Sequence, residues 1–139
     1  AVWSWGMGRC GQLGHGNQLN QSLPKKVEAF AGRRVAAVSA GEVHSLTLTA
    51  DGAVWSCGEG EDARLGHGED LLNQLLPKKI EALAGQRVVA VSAGTNHSIA
   101  LTAGGAVWSW GGGGSGELGH GWTLSKLLLP KKIEAFAGQ

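Results

Sequence analysis

The sequence predicts an all-β protein made of a structural unit that is written nearly three times. The decapeptide LPKKIEALAG at residues 76–85 has close copies at 23–32 and 129–138, so the copies lie 53 residues apart. The motifs Val-Trp-Ser and Gly-His-Gly recur at nearly the same interval. Each full unit also contains short valine-rich or alternating segments separated by glycine, which is typical of β-strands joined by turns. Four antiparallel strands in a unit of about fifty residues are typical of a β-propeller blade.

The first three strands of a unit are clearest in the last copy. Residues 87–93, RVVAVSA, and residues 97–103, HSIALTA, are the predicted first and second strands, because they are valine-rich or alternate small polar and apolar side chains. Residues 106–110, AVWSW, are the predicted third strand. Gly104–Gly105 here and Asp51–Gly52 in the preceding copy separate the second and third strands, and these residues suit a type I′ hairpin turn.

A glycine-rich loop leads to the fourth strand, which we expect Pro130 to open and which we extend through Ile133 to Phe136. Proline suits the first residue of a strand or an outer edge, because no hydrogen bond of the sheet is lost there. The repeated decapeptide is therefore interpreted as the last strand of a blade and its exit turn.

The units add up to about two and a half blades. Residues 1–32 form a half blade with the third and fourth strands only, residues 33–85 form a full blade, and residues 86–139 form another. Propellers generally need four to eight blades, and open blade edges invite strand pairing. We therefore expect a piece of a larger protein, whose ring is completed by neighbouring blades from the same or another chain.

The composition narrows the class of protein and its surroundings. The net charge is +1 and only 17% of the residues are charged, so there is no global basic field for nucleic acid. No apolar stretch approaches the roughly eighteen residues of a membrane helix, and no membrane partner is expected. Cys10 and Cys57 occupy different positions in their units, which argues against a disulfide framework. An intracellular location, cytoplasmic or nuclear, is the expectation.

The motif G-x-G-x-x-G occurs at residues 6–11 and 111–116. In dinucleotide-binding proteins this motif opens a helix whose N-terminus faces the pyrophosphate. Here the turn-like sequences QLGHG and ELGHG follow it, and the middle copy, GEGEDA, lacks the last glycine. We therefore expect no bound cofactor.

The five histidines occupy two sets of equivalent positions: His15, His67 and His120 in one set, and His44 and His97 in the other. Repeat symmetry spreads equivalent side chains around a ring, whereas zinc needs its ligands within about 2.1 Å. We expect each histidine to brace its own loop by a hydrogen bond. His97 and Ser98 do not form a catalytic pair, because neighbours on a strand point to opposite faces. The sequence thus predicts no metal site, no catalytic residues and no enzyme.

One face of the blades is the candidate partner-binding face. Strand parity puts the loop between the first and second strands on the same side as the long loop between the third and fourth. Residues on these loops differ between units, although the frame around them repeats, as expected of a recognition surface on a constant scaffold. The candidates are Arg9, Glu42, Val43, Glu59, Glu61, Asp62, Arg64, Thr95, Asn96 and Glu117. Trp122, a loop tryptophan without a counterpart, is a further candidate contact, with local packing as the alternative.

The remaining tryptophans recur in step with the units. Trp3, Trp55 and Trp108 are equivalent, and we expect them to pack between blades. Trp5 and Trp110 share their position with Cys57, so that position accepts a smaller side chain.

Lysine pairs recur in the predicted fourth strands, at residues 25–26, 78–79 and 131–132. Two interpretations stay open: a basic row for an acidic partner such as chromatin, or charged edges that discourage strand pairing. A glutamate follows each pair and the net charge is low, which favours the second interpretation.

Taken in order, the motifs VSAGxxHSxxLTxxGxVWSWGxGxxGxLGHG and PxxIEAL resemble the repeat of the regulator of chromosome condensation family over essentially the whole chain. The resemblance implies a seven-bladed ring. Light-sensing members carry Gly-Trp-Arg-His-Thr, but Glu42–Val43 and Thr95–Asn96 replace the Trp-Arg pair here.

The leading hypothesis is a non-enzymatic protein–protein interaction module, a propeller scaffold. The resemblance also implies two alternatives. One is guanine nucleotide exchange on a small GTPase, although units of nearly equal length leave no room for the family's wedge hairpin in this stretch. The other is the targeting domain of a ubiquitin ligase or a kinase.

Overall fold

The computed structural model describes residues 1–121 and 126–136, which form ten strands and four short 3-10 helices. The strands are β1 Trp3–Gly6, β2 Gln21–Lys26, β3 Val35–Ala40, β4 His44–Thr49, β5 Val54–Gly58, β6 Gln74–Lys79, β7 Val88–Ala93, β8 His97–Thr102, β9 Val107–Gly112 and β10 Lys126–Lys132. The 3-10 helices are Glu28–Phe30, Glu61–Ala63, Glu81–Leu83 and Glu134–Phe136.

The described strands form three antiparallel sheets in which sequence neighbours pair. β1 and β2 form the half blade, β3 to β6 the middle blade, and β7 to β10 the last blade. The predicted all-β fold with blades of four antiparallel strands is thereby confirmed. We call the contact between the half and middle blades the first seam, and that between the middle and last blades the second seam.

The fourth strand differs from the prediction at both ends. β10 begins at Lys126, ahead of Pro130, and ends at Lys132, after which Glu134–Phe136 forms a 3-10 helix. Pro130 lies where the pairing of β10 with β9 shifts register, between Leu127 and Lys131. A proline at such a bulge on an outermost strand costs no ladder hydrogen bond, so the strand can run through it.

The hairpin between β4 and β5 is present, but its turn is not type I′. The Gly52 N–H donates to the Thr49 carbonyl at 2.9 Å, and Gly52 has a φ of +88°. Asp51 does not have a positive φ, which a type I′ turn requires. A loop that ends in a left-handed glycine is typical of the three-residue hairpin with a bulge. Hydrogen bonds from the Thr49 hydroxyl and the Ala53 N–H hold the pKa of Asp51 below its usual value.

The hydrophobic core lies at the second seam. The middle blade contributes Leu46, Leu48, Val54, Ile80 and Leu83, and the last blade contributes Val88, Ala100 and Trp110. The Trp110 side chain is completely buried. Neither blade can bury these side chains alone, so the core makes the two blades one folding unit.

The tryptophans expected between blades differ in their burial. Trp55 contacts Phe30 of the half blade edge-to-face, with ring centroids 5.8 Å apart, and the Arg33 guanidinium lies 4.7 Å from its ring centre. Trp108 packs, partly buried, against the core of the second seam. Trp3 is 54% exposed, and no described strand lies beyond that edge of β1, so its packing between blades stays a prediction.

The outermost strands β2, β6 and β10 each have one unpaired edge within the described residues. Each contains a proline at a register shift and ends in a lysine pair, most of which is exposed. Lys78 also forms an ion pair with Asp70 at 2.8 Å. Proline, bulges and lysine are the usual means of preventing edge-to-edge pairing, so the geometry favours that interpretation of the lysine pairs.

Candidate interaction face

The long loop of each blade is held by the same serine–histidine contact. The serine hydroxyl of the third strand donates to a leucine carbonyl in the loop: Ser4 to Leu13 at 2.7 Å, Ser56 to Leu65 at 2.8 Å and Ser109 to Leu118 at 2.6 Å. The same hydroxyls lie 2.9, 2.9 and 3.1 Å from Nε2 of His15, His67 and His120. The prediction that these three histidines brace their own loops is confirmed.

The hydrogen bonds also determine which of the two side chains donates in the serine–histidine contact. A hydroxyl has one proton, and because the serine gives it to the leucine carbonyl, we assign the Nε2 proton to the histidine. A histidine that donates to a serine does not act as its general base, so the pair resembles a catalytic dyad only in distance. Burial lowers the pKa of His67 to about 4, and it also lowers the pKa of His15 and His120.

At the second seam, one backbone carbonyl accepts two hydrogen bonds from the next blade. The Arg64 carbonyl accepts the Ser98 hydroxyl at 2.9 Å and the Trp110 indole N–H at 3.0 Å. The equivalent Gln12 carbonyl at the first seam accepts the Ser45 hydroxyl at 2.7 Å and the Cys57 thiol at 3.6 Å. The Gly-His-Gly loops add backbone bonds, from the Gly16 N–H to the Leu75 carbonyl and from the Gly68 N–H to the Leu128 carbonyl.

His44 also acts across the second seam. Its Nε2 lies 2.9 Å from the Ser98 hydroxyl, and it must donate, because Ser98 gives its proton to the Arg64 carbonyl. Complete burial, with the charges of Arg64 and His97, lowers the pKa of His44 to about 4. The prediction that His44 braces its own loop is therefore wrong. Ser98 turns away from its neighbour His97 and toward the preceding blade, as strand alternation requires.

Arg64 is buried, with only 4% of its surface exposed, and so is not presented to a partner as the sequence suggested. Its guanidinium binds the Glu61 carbonyl at 2.8 Å, the Thr95 carbonyl of the last blade at 3.0 Å and the Asp62 carboxylate at 3.3 Å. The Glu59 carboxylate is 3.8 Å away. Arg64 thus joins the loop that contains Glu59, Glu61 and Asp62, which we call the acidic loop, to the loop between β7 and β8.

The other candidate residues lie on loops that the fold brings together. The Glu59 N–H donates to the Val43 carbonyl at 2.9 Å, and the Gly112 N–H donates to the Asn96 carbonyl at 2.8 Å, so the two loops of each blade are adjacent. Arg9, Glu42, Glu61, Thr95 and Glu117 are exposed, whereas Val43, Glu59, Asp62 and Asn96 are half-buried. Trp122 lies outside the described residues.

The acidic loop has an unusual backbone. Asp62 and Ala63 have positive φ angles of 63° and 62°, which side chains with a Cβ rarely adopt. Ala63 stands where the other blades have Gly11 and Gly116, both left-handed as well. The fold therefore imposes this conformation on every blade, and the middle blade adopts it without glycine.

Within residues 1–121 and 126–136, no three histidine, cysteine, aspartate or glutamate side chains are placed to share a metal ion. No helix of these residues is long and apolar enough to span a membrane. Cys10 and Cys57 are free thiols, and burial raises the pKa of Cys57 to about 12.

The contacts across the seams are what the sequence interpretation missed. His44, Ser98 and Trp110 were each assigned to their own blade or treated as tolerant of change, yet they join two blades. The signal was present, because His-Ser recurs in both full blades and a serine recurs in every third strand. The recurrence of a residue in each blade indicates a structural role, but it does not show which blade the side chain contacts.

The family model of the regulator of chromosome condensation (RCC1) repeat matches residues 1–48, 51–101 and 104–139. A second model with the same description matches residues 35–63 and 88–117.

Several relatives resemble the chain in sequence or structure. The human E3 ubiquitin-protein ligase HERC2 is 40% identical over 99% of this chain, which spans 3% of the ligase. The Ultraviolet-B receptor UVR8 of Arabidopsis thaliana is 39% identical over 99% of the chain, which spans 31% of the receptor. The structure of Prp20p from Saccharomyces cerevisiae superposes with a TM-score of 0.85 and 27% identity, over 94% of this chain and 33% of Prp20p. Human WBSCR16 gives a TM-score of 0.85 and 28% identity, over 94% and 32% of the two chains.

Proposed function

The chain belongs to the regulator of chromosome condensation (RCC1) repeat family, and from that premise we propose that it is a non-enzymatic protein–protein interaction module. In this proposal the blades form part of a larger propeller scaffold, which binds a partner protein through the loops that contain Glu42, Glu61 and Thr95. The chain spans a third or less of each relative compared above, so the activity of a whole protein is part of the proposal.

The observation that supports the proposal most is the contrast between a constant frame and variable loops. The serine–histidine contact is the same in all three blades, with donor–acceptor distances that agree within a few tenths of an ångström. The exposed positions beside it are occupied by Arg9, Glu61 and Gly114 in turn. A frame that fixes the loop backbone while the exposed side chain changes suits recognition, not a shared chemical step.

The charge of this face also supports a protein partner. One loop of the middle blade contains three acidic residues, Glu59, Glu61 and Asp62. The buried guanidinium of Arg64 binds this loop. Two of the three carboxylates are close to the guanidinium, which leaves the exposed Glu61 free to interact with a partner. A basic side chain of the partner would complement this loop.

Site-specific photo-cross-linking tests the proposal. A photoreactive residue replaces Glu61 or Thr95 on the loop face, and Ala103, exposed on the turn at the opposite end of the blade, serves as the matched control. We expect the loop-face positions to cross-link one partner protein in cell extract that the control position does not. The purified partner should then bind about tenfold more weakly to Glu61→Lys, and with unchanged affinity to Ala103→Lys. Equal cross-linking from both ends, or full affinity of Glu61→Lys, would contradict the proposal.

A second candidate function is guanine nucleotide exchange on a small GTPase. Its support is the structural likeness to Prp20p, whose structure is reported with its binding properties to Gsp1p and histones. The test is the release of fluorescent GDP from candidate GTPases in the presence of the parent protein. No acceleration with any of them would remove this candidate.

The likeness to Prp20p also supports chromatin as a candidate partner. The lysine pairs could contact it, although their position on strand edges is also explained by the prevention of strand pairing. Binding to nucleosomes that weakens steeply with salt and with Lys131→Ala would support chromatin contact. The likeness to HERC2 supports a further candidate, in which the blades target a ubiquitin ligase to its substrate. We propose a cytoplasmic or nuclear location for the protein, which suits each of these candidate functions.

A further inference from the structure

Two equivalent loops of the molecule present a leucine to solvent. Leu19 in the half blade and Leu72 in the acidic loop of the middle blade are 63% and 73% exposed, and Leu71 is 41% exposed. The middle blade is hydrogen-bonded to a described blade on each side, and its leucine is nevertheless the more exposed of the two. The exposure of Leu72 is therefore a property of its loop and not of an uncovered blade face.

Both leucines are held by the same backbone frame. In each loop the leucine N–H donates to a side-chain oxygen two residues earlier: Leu72 to Asp70 at 3.2 Å, and Leu19 to Asn17 at 3.1 Å. The asparagine that follows each leucine accepts a backbone N–H from the start of the same loop: Asn73 from Gly60 and Asn20 from Gly8, both at 3.0 Å. The leucine is thus fixed in its exposed position before a partner binds, which lowers the entropic cost of binding.

The frame of the middle blade also places Leu72 beside two exposed carboxylates. A Cβ on Gly60 would collide with the Leu72 carbonyl, so Glu61, the residue after Gly60, lies next to the leucine. Glu69 lies three residues before Leu72. Both glutamates are exposed and form no ion pair with a described residue, whereas other carboxylates of the loop pair with Arg64 or Lys78. The loop therefore combines exposed leucine with two negative charges that no described side chain neutralises.

The half blade has the same frame with the opposite charge. Arg9 occupies the position of Glu61, and it lies beside Leu19 because a Cβ on Gly8 would collide with the Leu19 carbonyl. The two loops thus offer a leucine in opposite electrostatic surroundings. A charged ligand that suits the loop of Leu72 is disfavoured at the loop of Leu19, so the two sites differ in specificity.

We infer that the acidic loop binds a segment of a partner protein in which apolar side chains stand next to lysine or arginine. The docking surface, which we call the leucine patch, consists of Glu61, Glu69, Leu71 and Leu72. Apolar side chains of the segment cover the leucines, and its basic side chains pair with the glutamates. Burial of the leucines supplies affinity, while the carboxylates exclude acidic segments. The inference rests on the proposed function, because Glu61 also belongs to the proposed interaction face.

The test is a selection of peptides that require Leu72. A phage library of random peptides is first depleted on the Leu72→Ser chain and is then selected on the unaltered full chain. We expect the selected peptides to share apolar residues next to lysine or arginine. In fluorescence anisotropy each should bind about tenfold more weakly to Leu72→Ser, and with unchanged affinity to Leu19→Ser, the matched control. No selected peptide, a consensus without basic residues, or equal weakening by Leu19→Ser would overturn the inference.

Reversal of charge provides a second readout. Glu61→Lys should weaken binding of the selected peptide about tenfold. A second peptide, in which glutamate replaces the basic residues, should bind more tightly to Glu61→Lys than to the unaltered chain, because the charges are then complementary again. If the second peptide shows no such preference, charge complementarity does not operate at this loop and the inference is wrong.

The partner identified by photo-cross-linking separates this inference from the proposed function. We expect that partner to bind about tenfold more weakly to Leu72→Ser and to Glu61→Lys. If Glu61→Lys weakens binding but Leu72→Ser keeps full affinity, the leucine patch is wrong and the proposed function stands. If neither variant weakens binding, both are wrong.

Discussion

The two seams of this molecule make the same contact with different side chains. At the first seam the Gln12 carbonyl accepts hydrogen bonds from Ser45 and Cys57, and at the second the Arg64 carbonyl accepts them from Ser98 and Trp110. The first seam borders an open cavity, whereas the second contains the buried hydrophobic core. The comparison shows that the side chains at equivalent seam positions can differ between repeats while the hydrogen bonds to the backbone carbonyl are kept.

The backbone carbonyl is the reason that such variation is possible. Because the acceptor is a carbonyl, the side chain of the same residue can be Gln12 or Arg64 without loss of the seam contact. The donor side is more restricted. A Cβ at Gly66 would lie 2.8 Å from Trp110 Nε1, so the first glycine of Gly-His-Gly makes room for the indole of the next blade.

The largest expected effect tests whether the Trp110 indole makes the second seam contribute more to the free energy of unfolding than the first. We expect Trp110→Ala to lower the free energy of unfolding by about 3–5 kcal/mol, because it removes a fully buried ring and leaves a cavity. The matched change Cys57→Ala at the first seam should cost about 1 kcal/mol. Urea denaturation followed by circular dichroism measures both changes. Equal losses would show that the two seams do not differ in this way.

The second prediction concerns pH and the buried His44. Its pKa falls from 6.5 to about 4 on folding, so the unfolded chain takes up the proton first as the pH drops. The stabilisation is therefore complete above about pH 6.5 and is lost as the pH falls toward 4, on the order of 3 kcal/mol. His44→Gln keeps a donor for Ser98 but does not titrate, so it should make the stability profile less steep between these pH values, while His67, whose pKa is also lowered to about 4, keeps part of the slope. An unchanged profile would mean that other groups cause the acid sensitivity.

A matched glycine pair separates the second seam from the turn itself. Gly52 and Gly105 occupy equivalent turns with φ of +88° and +90°, but only Gly52 faces a neighbouring blade, where a Cβ would lie 3.2 Å from Arg87 Cα. Gly105→Ala should cost about 1–2 kcal/mol through backbone strain. Gly52→Ala should cost about 1 kcal/mol more through the seam. Equal losses of stability for Gly52→Ala and Gly105→Ala in thermal denaturation would show that the second seam accommodates the added methyl group.

The smallest effect has the opposite sign and tests the acidic loop. Ala63→Gly should raise the free energy of unfolding by about 0.5–1 kcal/mol, because it relieves the left-handed strain at a smaller cost in backbone entropy. Gly116→Ala, the reverse change in the last blade, should lower stability by a similar amount. If Ala63→Gly is destabilising, contacts of its methyl group outweigh the strain.

Much of the fold could be predicted because local patterns determine it. Alternation along β4 and β8 defined the strands, and the Asp-Gly and Gly-Gly pairs marked the hairpins, although they did not reveal the turn type. The fourth strand was misplaced because a proline seen alone signals a strand start, and only the pairing with β9 shows the bulge that accommodates Pro130. The candidate loops could be grouped by strand parity, but the burial of Arg64 could not be foreseen from its charge.

The sequence by itself determined the period, the four-stranded blade, the family and the loops that vary. These follow from spacing and side-chain type, which are local properties of the chain. Only the tertiary structure decided which donor meets which acceptor across a seam, which of two equivalent tryptophan positions is buried, and which charged loop residue lies inside. Those contacts join residues that are about thirty to fifty positions apart, such as Arg64 with Thr95 and His44 with Ser98. They depend on how one twisted sheet packs against the next, and that packing is a property of the assembled blades and not of any single one.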